Sequence, residues 1–148
     1  MPIRSLSHVA LSTPDLDRAV EFWCNHLGFV EERRWSWENL EVVDRLTGLV
    51  GSAARAVLLS GHGTGVEIFE FERPGQPGGV DNGARPVSDH GYTHVCFEVD
   101  DIEADVARLS LAGMTFWTEV ITESAGARLI YGRDPDGNVI ELHQRTLD

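Results

Sequence analysis

The sequence predicts an α+β fold built from two like modules, and two observations carry that prediction. The first is an internal repeat: SHVALSTPDLDRAVEFWCNHLGF (7–29) is written again, with changes, as THVCFEVDDIEADVARLSLAGMTF (93–116). His8, Val9, Asp15, Leu16 and Val20 align with His94, Val95, Asp101, Ile102 and Val106 at a constant offset of 86. The second is that each copy leads into β-patterned segments with a like ending, GVEIFEF (65–71) and NVIELHQ (138–144), which aligns Glu67 with Glu141. Each module therefore reads as strand, helix, then two or three strands, a βαββ(β) unit. Module one spans 3–72 and module two 90–145, and the Gly- and Pro-rich stretch 73–89, without periodicity, is a linker. The whole chain, 1–148, has a length suited to one domain.

Ser5 to Ser12 alternates in polarity as a half-buried strand does. Thr13 suits an N-cap, Pro14 the first helical position, and Asp15 and Asp17 the positive end of a helix. Leu16, Val20, Trp23 and Leu27 then share one helical face, and Gly28 closes the helix. Trp35 to Ala54 has no counterpart in module two and reads as an insertion, with a short helix in ENLEVVDRLT (38–47). RAVLLS (55–60) and VEIFEF flank a hairpin turn at Gly61–Gly65. In module two, Asp100 or Asp101 caps a helix that turns Ile102, Val106 and Leu109 inward and stops at Gly113. Trp117 to Thr122 reads as one strand. ARLIYGRD (127–134) and NVIELHQ flank the turn Asp134-Pro135-Asp136-Gly137-Asn138.

Composition narrows the function classes. With 24 acidic against 12 basic residues the formal charge is −12, which repels phosphate backbones and anionic membrane surfaces. A small anionic substrate held by a local arginine is still compatible. No stretch approaches the roughly 20 apolar residues of a membrane span, and MPIRSLSHV lacks the apolar core of a signal peptide, so a cytoplasmic protein is expected. Cys24 and Cys96 lack C-x-x-C spacing and read as reduced, structural thiols.

Strand alternation assigns faces. The single helix of each module must cover one sheet face, so Val9, Leu11, Val66, Ile68, Val95, Phe97, Val99, Ile140 and Leu142 point toward the helices. The opposite face then carries His8, Glu67 and Phe69 in module one, and His94, Cys96, Glu98, Glu141 and His143 in module two. A lone His or Glu on a strand face is ordinarily structural or solvated. Two imidazoles and two carboxylates at repeat-matched positions are a mixed N/O set suited to one divalent ion such as Zn, Ni, Co, Fe or Mn, if the two sheets curve around a shared trough. Around this set, His143 is a further candidate contact, and Phe69 with Phe71 an apolar floor. Trp35 and Trp37 read as a pocket lid or a dimer surface. Arg55 and Arg128 are candidate carboxylate holders, and Tyr131 lies on a face that alternation leaves open. His26, His62 and His90 have no repeat partner and read as solvent-facing.

The motifs HVALSTPDLDRAVEFWCNHLGF, GVEIFEF, HVCFEVDDIEADVARL and DPDGNVIELHQ resemble the vicinal oxygen chelate superfamily, which includes glyoxalase I, methylmalonyl-CoA epimerase, extradiol dioxygenases and bleomycin- and fosfomycin-resistance proteins. The resemblance implies a glyoxalase/bleomycin resistance/dioxygenase fold, two modules cupped as a half-barrel around a metal, commonly in a homodimer. It implies His8, Glu67, His94 and Glu141 as ligands of one divalent ion, and a small-molecule substrate. Four ligands look more like the glyoxalase I and epimerase branch than like the two-His, one-Glu site of an Fe(II) extradiol dioxygenase. The implied activity is isomerisation, epimerisation or lysis of a small carbonyl compound through a metal-stabilised enolate or enediolate. Glu141 is the first choice of catalytic base, and Glu67 serves the opposite side. The alternatives are the dioxygenase and a non-catalytic, drug-sequestering resistance protein. No glutathione-binding set or basic cluster for a CoA tail is recognisable, and the segment 35–54 stands where bacterial glyoxalase I has a short strand.

Overall fold

The structure, a computed structural model, describes residues 3–75, 83 and 85–145. The chain divides into two compact units, Met1–Val80 and Asp81–Asp148. Of the expected linker 73–89, residues 76–82 and 84 lie outside the described residues, and residue 73 ends a strand.

In the first unit β1 (His8–Ser12) leads into α1 (Leu16–Leu27), followed by β2 (Val30–Glu38), α2 (Glu41–Thr47), β3 (Ala53–Gly61) and β4 (Thr64–Arg73). The sheet order is β1-β4-β3-β2, with β1 parallel to β4 and the other pairs antiparallel. A parallel pair needs a crossover, and α1 with the strands after it supplies one. Leu16, Val20, Trp23 and Leu27 of α1 are buried, as are Val57, Leu59, Val66 and Ile68 of the sheet. The helix starts two residues later than the sequence suggests. Asp15 is the N-cap, its carboxylate accepting from the Arg18 amide, while Thr13 is buried and its hydroxyl accepts from the Asp15 amide. A further amide, that of Leu16, donates to Glu70 on β4 at 3.0 Å. Gly28 closes the helix at φ 75°.

The segment 35–54 is not one insertion. Trp35 and Trp37 belong to β2, a full edge strand paired with β3, and only the turn and α2 beyond it are extra. His8 to Glu67 spans 59 positions and His94 to Glu141 spans 47, so module one carries 12 additional residues between its helix and its last strand. The indole N–H of Trp37 donates to the Ser52 hydroxyl at 2.8 Å, and Ser52 donates in turn to Asp44 of α2, which also accepts from the Gly51 and Ser52 amides. The Ser52 hydroxyl, with the two amides, holds the Asp44 carboxyl below the usual carboxylate range. The hairpin between β3 and β4 turns through His62 and Gly63 alone, at φ 52° and 77°.

The second unit repeats the plan in β5 (Val95–Glu98), α3 (Ile102–Leu111), β6 (Thr115–Phe116), β7 (Ile121–Thr122), β8 (Arg128–Arg133) and β9 (Val139–Gln144). Its order is β5-β9-β8-β6, with β7 also paired to β8 and β5 parallel to β9. Asp101, not Asp100, caps α3, and the Ile102 amide donates to Gln144 on β9 at 3.0 Å. That contact matches Leu16 to Glu70 in the first unit. Ile102, Leu109, Met114, Ile130, Ile140 and Leu142 form the core. Trp117 to Thr122 is not a single strand. Two short strands flank a bend at Trp117–Glu119, because that stretch lacks the alternation needed to pair along its whole length. The Asp134–Asn138 turn is held by the buried Asp134 carboxylate, which accepts from both the Asp136 and Asn138 amides. Burial pushes its carboxyl above the usual range.

This packing is testable at two points. A methyl group at Gly132 would stand 2.6 Å from the Thr115 carbonyl and 2.7 Å from the Phe116 ring, so Gly132→Ala should cost about 1–3 kcal/mol by overpacking, read as a lower urea midpoint. A folded-state pKa held low adds stability that is present above the unfolded value and lost as pH falls through the folded one. Asp44→Asn should therefore be less stable than the parent at neutral pH and lose less on acidification below about pH 4; parallel pH–stability curves would exclude this.

Candidate metal centre

Each unit brings one histidine and one glutamate together. In the first, the parallel register sets Ala10 beside Glu67 and His8 beside Gly65. His8 Nε2 lies 3.4 Å from Glu67 Oε2, and its Nδ1 lies 3.3 Å from the Ser7 hydroxyl. The bare Gly65 backbone permits this approach, since a Cβ there would meet both His8 Cβ and the Ser7 carbonyl at 3.1 Å. In the second, Cys96 lies beside Glu141. His94 Nε2 is 3.0 Å from Glu141 Oε2, and its Nδ1 is 2.8 Å from the Thr93 hydroxyl. The two pairs are thus built alike, with one ring nitrogen on a preceding hydroxyl and the other on the carboxylate of the last strand. The second is the better sheltered: His94 and Glu141 are 27% and 14% exposed, against 39% and 20% for His8 and Glu67.

Their surroundings differ. Glu67 is flanked by Ala10 and Leu58, whereas Glu141 is flanked by Cys96 and Tyr131. The Tyr131 ring meets His94 edge-on at 5.0 Å and stacks on Trp117 at 5.9 Å with 7° between planes. Partial burial and then the Glu141 charge raise the Tyr131 hydroxyl above its ordinary pKa, and the same causes push the Cys96 thiol up to about 11. Both groups stay protonated at neutral pH and face the Glu141 carboxylate as donors. An open hollow of about 340 Å³ beside this pair is lined by Val87, Thr93, His94, Trp117 and Tyr131. A hollow of about 510 Å³ in the first unit is lined by Ser36, Trp37, Glu38, Ala54, Arg55, Glu70 and Glu72, and reaches neither His8 nor Glu67.

Phe69 and Phe71 share the Glu67 face and stack at 5.6 Å. Trp37 packs edge-on against both, at 6.0 and 5.9 Å, and Trp35 joins the cluster at its margin beneath the Arg33 guanidinium. Trp37 is buried in this cluster, and Trp35 is half-buried on β2. Arg55 pairs with Asp17 and Glu70, and Arg128 with Glu103. These partners lie on the helix-covered faces, which places both arginines opposite Glu67 and Glu141. His143 shares the Glu141 face and hydrogen-bonds Glu98 at 2.7 Å; that bond, with burial opposing it and Arg145 adding to it, holds the Glu98 carboxyl low. His90 and His62 are exposed, His62 also bonding the Leu27 carbonyl at 2.8 Å and meeting Phe29 edge-on, but His26 is half-buried against Phe22. Ser7, Thr93 and Trp117 are members of the site that sequence reasoning misses. The Ser/Thr-His-Val signature of the repeat is the available signal for the first two.

Imidazole nitrogen and carboxylate oxygen fit a borderline divalent ion, and the hydroxyl on each Nδ1 leaves Nε2 aimed at the carboxylate. Within either unit, among the described residues, no group of three or more His, Cys, Asp or Glu side chains is placed so that it could hold a metal ion. Each unit therefore offers two donors.

Two βαβ-type units, each presenting a His–Glu pair from a parallel first and last strand, define the class of protein. The family model of the Glyoxalase/Bleomycin resistance protein/Dioxygenase superfamily matches residues 5–142, and the chain belongs to that superfamily. It is 29% identical to glutathione transferase FosA of Serratia marcescens over 98% of this chain and 84% of that protein. It is 30% identical to 2-epi-5-epi-valiolone epimerase of an Actinomyces species over 93% of this chain and 78% of that one. Among solved structures, a glyoxalase family protein from Bacillus cereus matches with a TM-score of 0.84 at 28% identity, covering 97% of both chains. The fosfomycin resistance protein FosX of Listeria monocytogenes, complexed with Mn(II) and sulfate, matches in fold with a TM-score of 0.61 at 22% identity over 98% of this chain and 95% of that one. The proteins it resembles thus include enzymes. Among the described residues no helix is long and apolar enough to cross a membrane.

Proposed function

We propose that this protein is a divalent-metal-dependent enzyme of the glyoxalase and epimerase branch that moves the proton next to a carbonyl in a small substrate. His8, Glu67, His94 and Glu141 are the ligands, and a homodimer is the working assembly. The observation that carries the reading is the matched His–Glu pair in each unit, one imidazole nitrogen on a hydroxyl and the other toward the carboxylate. The likeness to an epimerase and the metal complex of FosX support it.

His8, Glu67, His94 and Glu141 would hold the divalent ion, which would supply Lewis-acid chemistry toward a substrate oxygen, a contribution of several kcal/mol. The remaining work falls to side chains. Glu141 accepts the α-proton, oriented by the protonated Tyr131 and Cys96 beside it. Glu67 serves the opposite side. Trp117 and Tyr131 give the substrate an aromatic wall next to His94. The FosA likeness favours a second reading, addition of a thiol to a substrate held at the same centre.

Elemental analysis of the purified protein should find about one divalent ion per chain, lost when His8 and Glu141 are both replaced by Ala. Full occupancy in that double variant would overturn the ligand assignment. With a turned-over carbonyl substrate, the α-carbon should take up solvent deuterium, and Glu141→Gln should lower turnover by about 10²–10⁴ with metal content retained. Thiol consumption without deuterium uptake would select the transferase reading. Sedimentation equilibrium should give twice the chain mass.

A further inference from the structure

The polar face of β9 continues past Glu141 to His143, where the sheet carries a second polar rung. His143 pairs with Glu98 of β5 on one side and Leu129 of β8 on the other. Its Nδ1 hydrogen-bonds the Glu98 carboxylate at 2.7 Å, and the same carboxylate oxygen accepts from the Arg145 guanidinium at 3.0 Å. Among the described residues Nε2 has no partner, and the side chain is 23% exposed.

The fold does not require this pair. The offsets that align His8 with His94 and Glu67 with Glu141 also align Ser12 with Glu98 and Phe69 with His143. Ser12 and Phe69 stand side by side as their counterparts do, and Phe69 stacks on Phe71 and meets Trp37 edge-on. The same rung thus takes an apolar ring in one unit and an imidazole with a free nitrogen in the other. Neutralising Glu98 does not need the imidazole either, because Arg145 already pairs with it. The rung also lies away from the hollow of the second unit. Thr93 and His94 precede β5 and line that hollow with Val87, Trp117 and Tyr131, whereas Glu98 ends β5. Strand rise sets His143 roughly 7 Å beyond Glu141 on the same face. Glu141 therefore stands between an aromatic hollow and a hydrogen-bonding imidazole.

We infer that His143 binds a hydroxyl group of the substrate and that Glu98 is the positioning residue that holds its ring. The inference rests on the reading of Glu141 as the group that takes the α-proton, and it names the substrate class: a carbonyl compound with a hydroxyl a few bonds beyond the α-carbon. A hydroxyl both donates and accepts, so it bonds Nε2 whether or not that nitrogen carries a proton. An anionic group suits the place less well, because the Glu98 and Glu141 carboxylates are close by.

Two measurements on the whole protein test this. Titration with 4-hydroxy-2-butanone, with and without Zn(II), should shift the Cε1–H resonance of the His143 ring along a saturable curve, and 2-butanone should not. No shift with the hydroxyketone in either form, or the same shift with both ketones, would overturn the inference. In the metal-loaded protein, solvent deuterium should enter the α-carbon of 4-hydroxy-2-butanone about 10-fold more efficiently than that of 2-butanone, each normalised to its uncatalysed rate, which is the size of one hydrogen bond. His143→Phe should bring that ratio to about one and Glu98→Ala should lower it. His143→Gln and Glu98→Gln, which keep a hydrogen-bonding group, should retain most of it. An unchanged ratio in His143→Phe would overturn the inference. Exchange into neither ketone would overturn the proton-transfer reading instead, and the ring titration would then decide the role of His143 alone.

Discussion

The parallel pairing of the first and last strands within each unit is the constraint on which the candidate centre depends. A parallel pair cannot be joined by a tight turn, so a helix and at least two strands must intervene. That helix covers one face, burying Val66 and Ile68 in the first unit and Ile140 and Leu142 in the second. Alternation then sends every second side chain of the last strand to the other face. Register does the rest: Glu67 and Glu141 pair with Ala10 and Cys96, two residues beyond His8 and His94, so each carboxylate meets the imidazole on the adjoining strand. A slip of one residue would turn the glutamate into the core and the isoleucine out to water, which burial does not permit. The apolar half of each strand therefore positions the polar half. The helix-capping contacts, Leu16 to Glu70 and Ile102 to Gln144, tie the helix start to the same last strand and reinforce that register in both units.

The repeat makes the pairs alike and the neighbouring strand makes them different. In the first unit β3 places Leu58 beside Glu67, and the aromatic residues of β2 and β4 pack together further along the sheet. In the second, β8 places Tyr131 beside Glu141, and the bend at Trp117 brings a second ring onto it. One carboxylate therefore faces apolar neighbours and the other faces two protonated donors. Carboxylates of equal chemistry in unequal surroundings take different roles in catalysis. The different roles proposed for Glu141 and Glu67 rest on this difference in strand neighbours. The same comparison explains the extra 12 residues of the first unit. Through Asp44 and Ser52 they hold the Trp37 indole and extend the aromatic cluster, and they leave the His8–Glu67 register unchanged.

What is legible in the chain is whatever period and repetition encode. The strand-helix-strand order, the β3–β4 hairpin, the faces of β4 and β9, and the alignment of His8, Glu67, His94 and Glu141 all follow from alternation read twice. β2 is hidden because it is an exposed edge strand: Glu31, Glu32, Arg33 and Arg34 carry charge on both faces, and a bulge there breaks the alternation before Trp35 and Trp37 restore it. Thr13 passes for the helix start because its hydroxyl does make a local turn bond, to the Asp15 amide, that imitates a cap. The aligned acids Asp15 and Asp101, both true caps, hold the better signal. Tyr131 cannot be placed from its own strand. RLIYGR sets Leu129 and Tyr131 on one side and Ile130 on the other, and both sides are apolar enough to be core. Only the register against β9 decides that Tyr131 meets Glu141. The partners of Arg55 and Arg128 are hidden for the converse reason. A lone arginine on a strand announces a charge to be neutralised but not the partner, and here Asp17, Glu70 and Glu103 on the helix-covered sides are the partners. Ser7 and Thr93 stand in plain view as the first letters of the repeat. Their contacts with Nδ1 of His8 and His94 become visible only in the ring geometry.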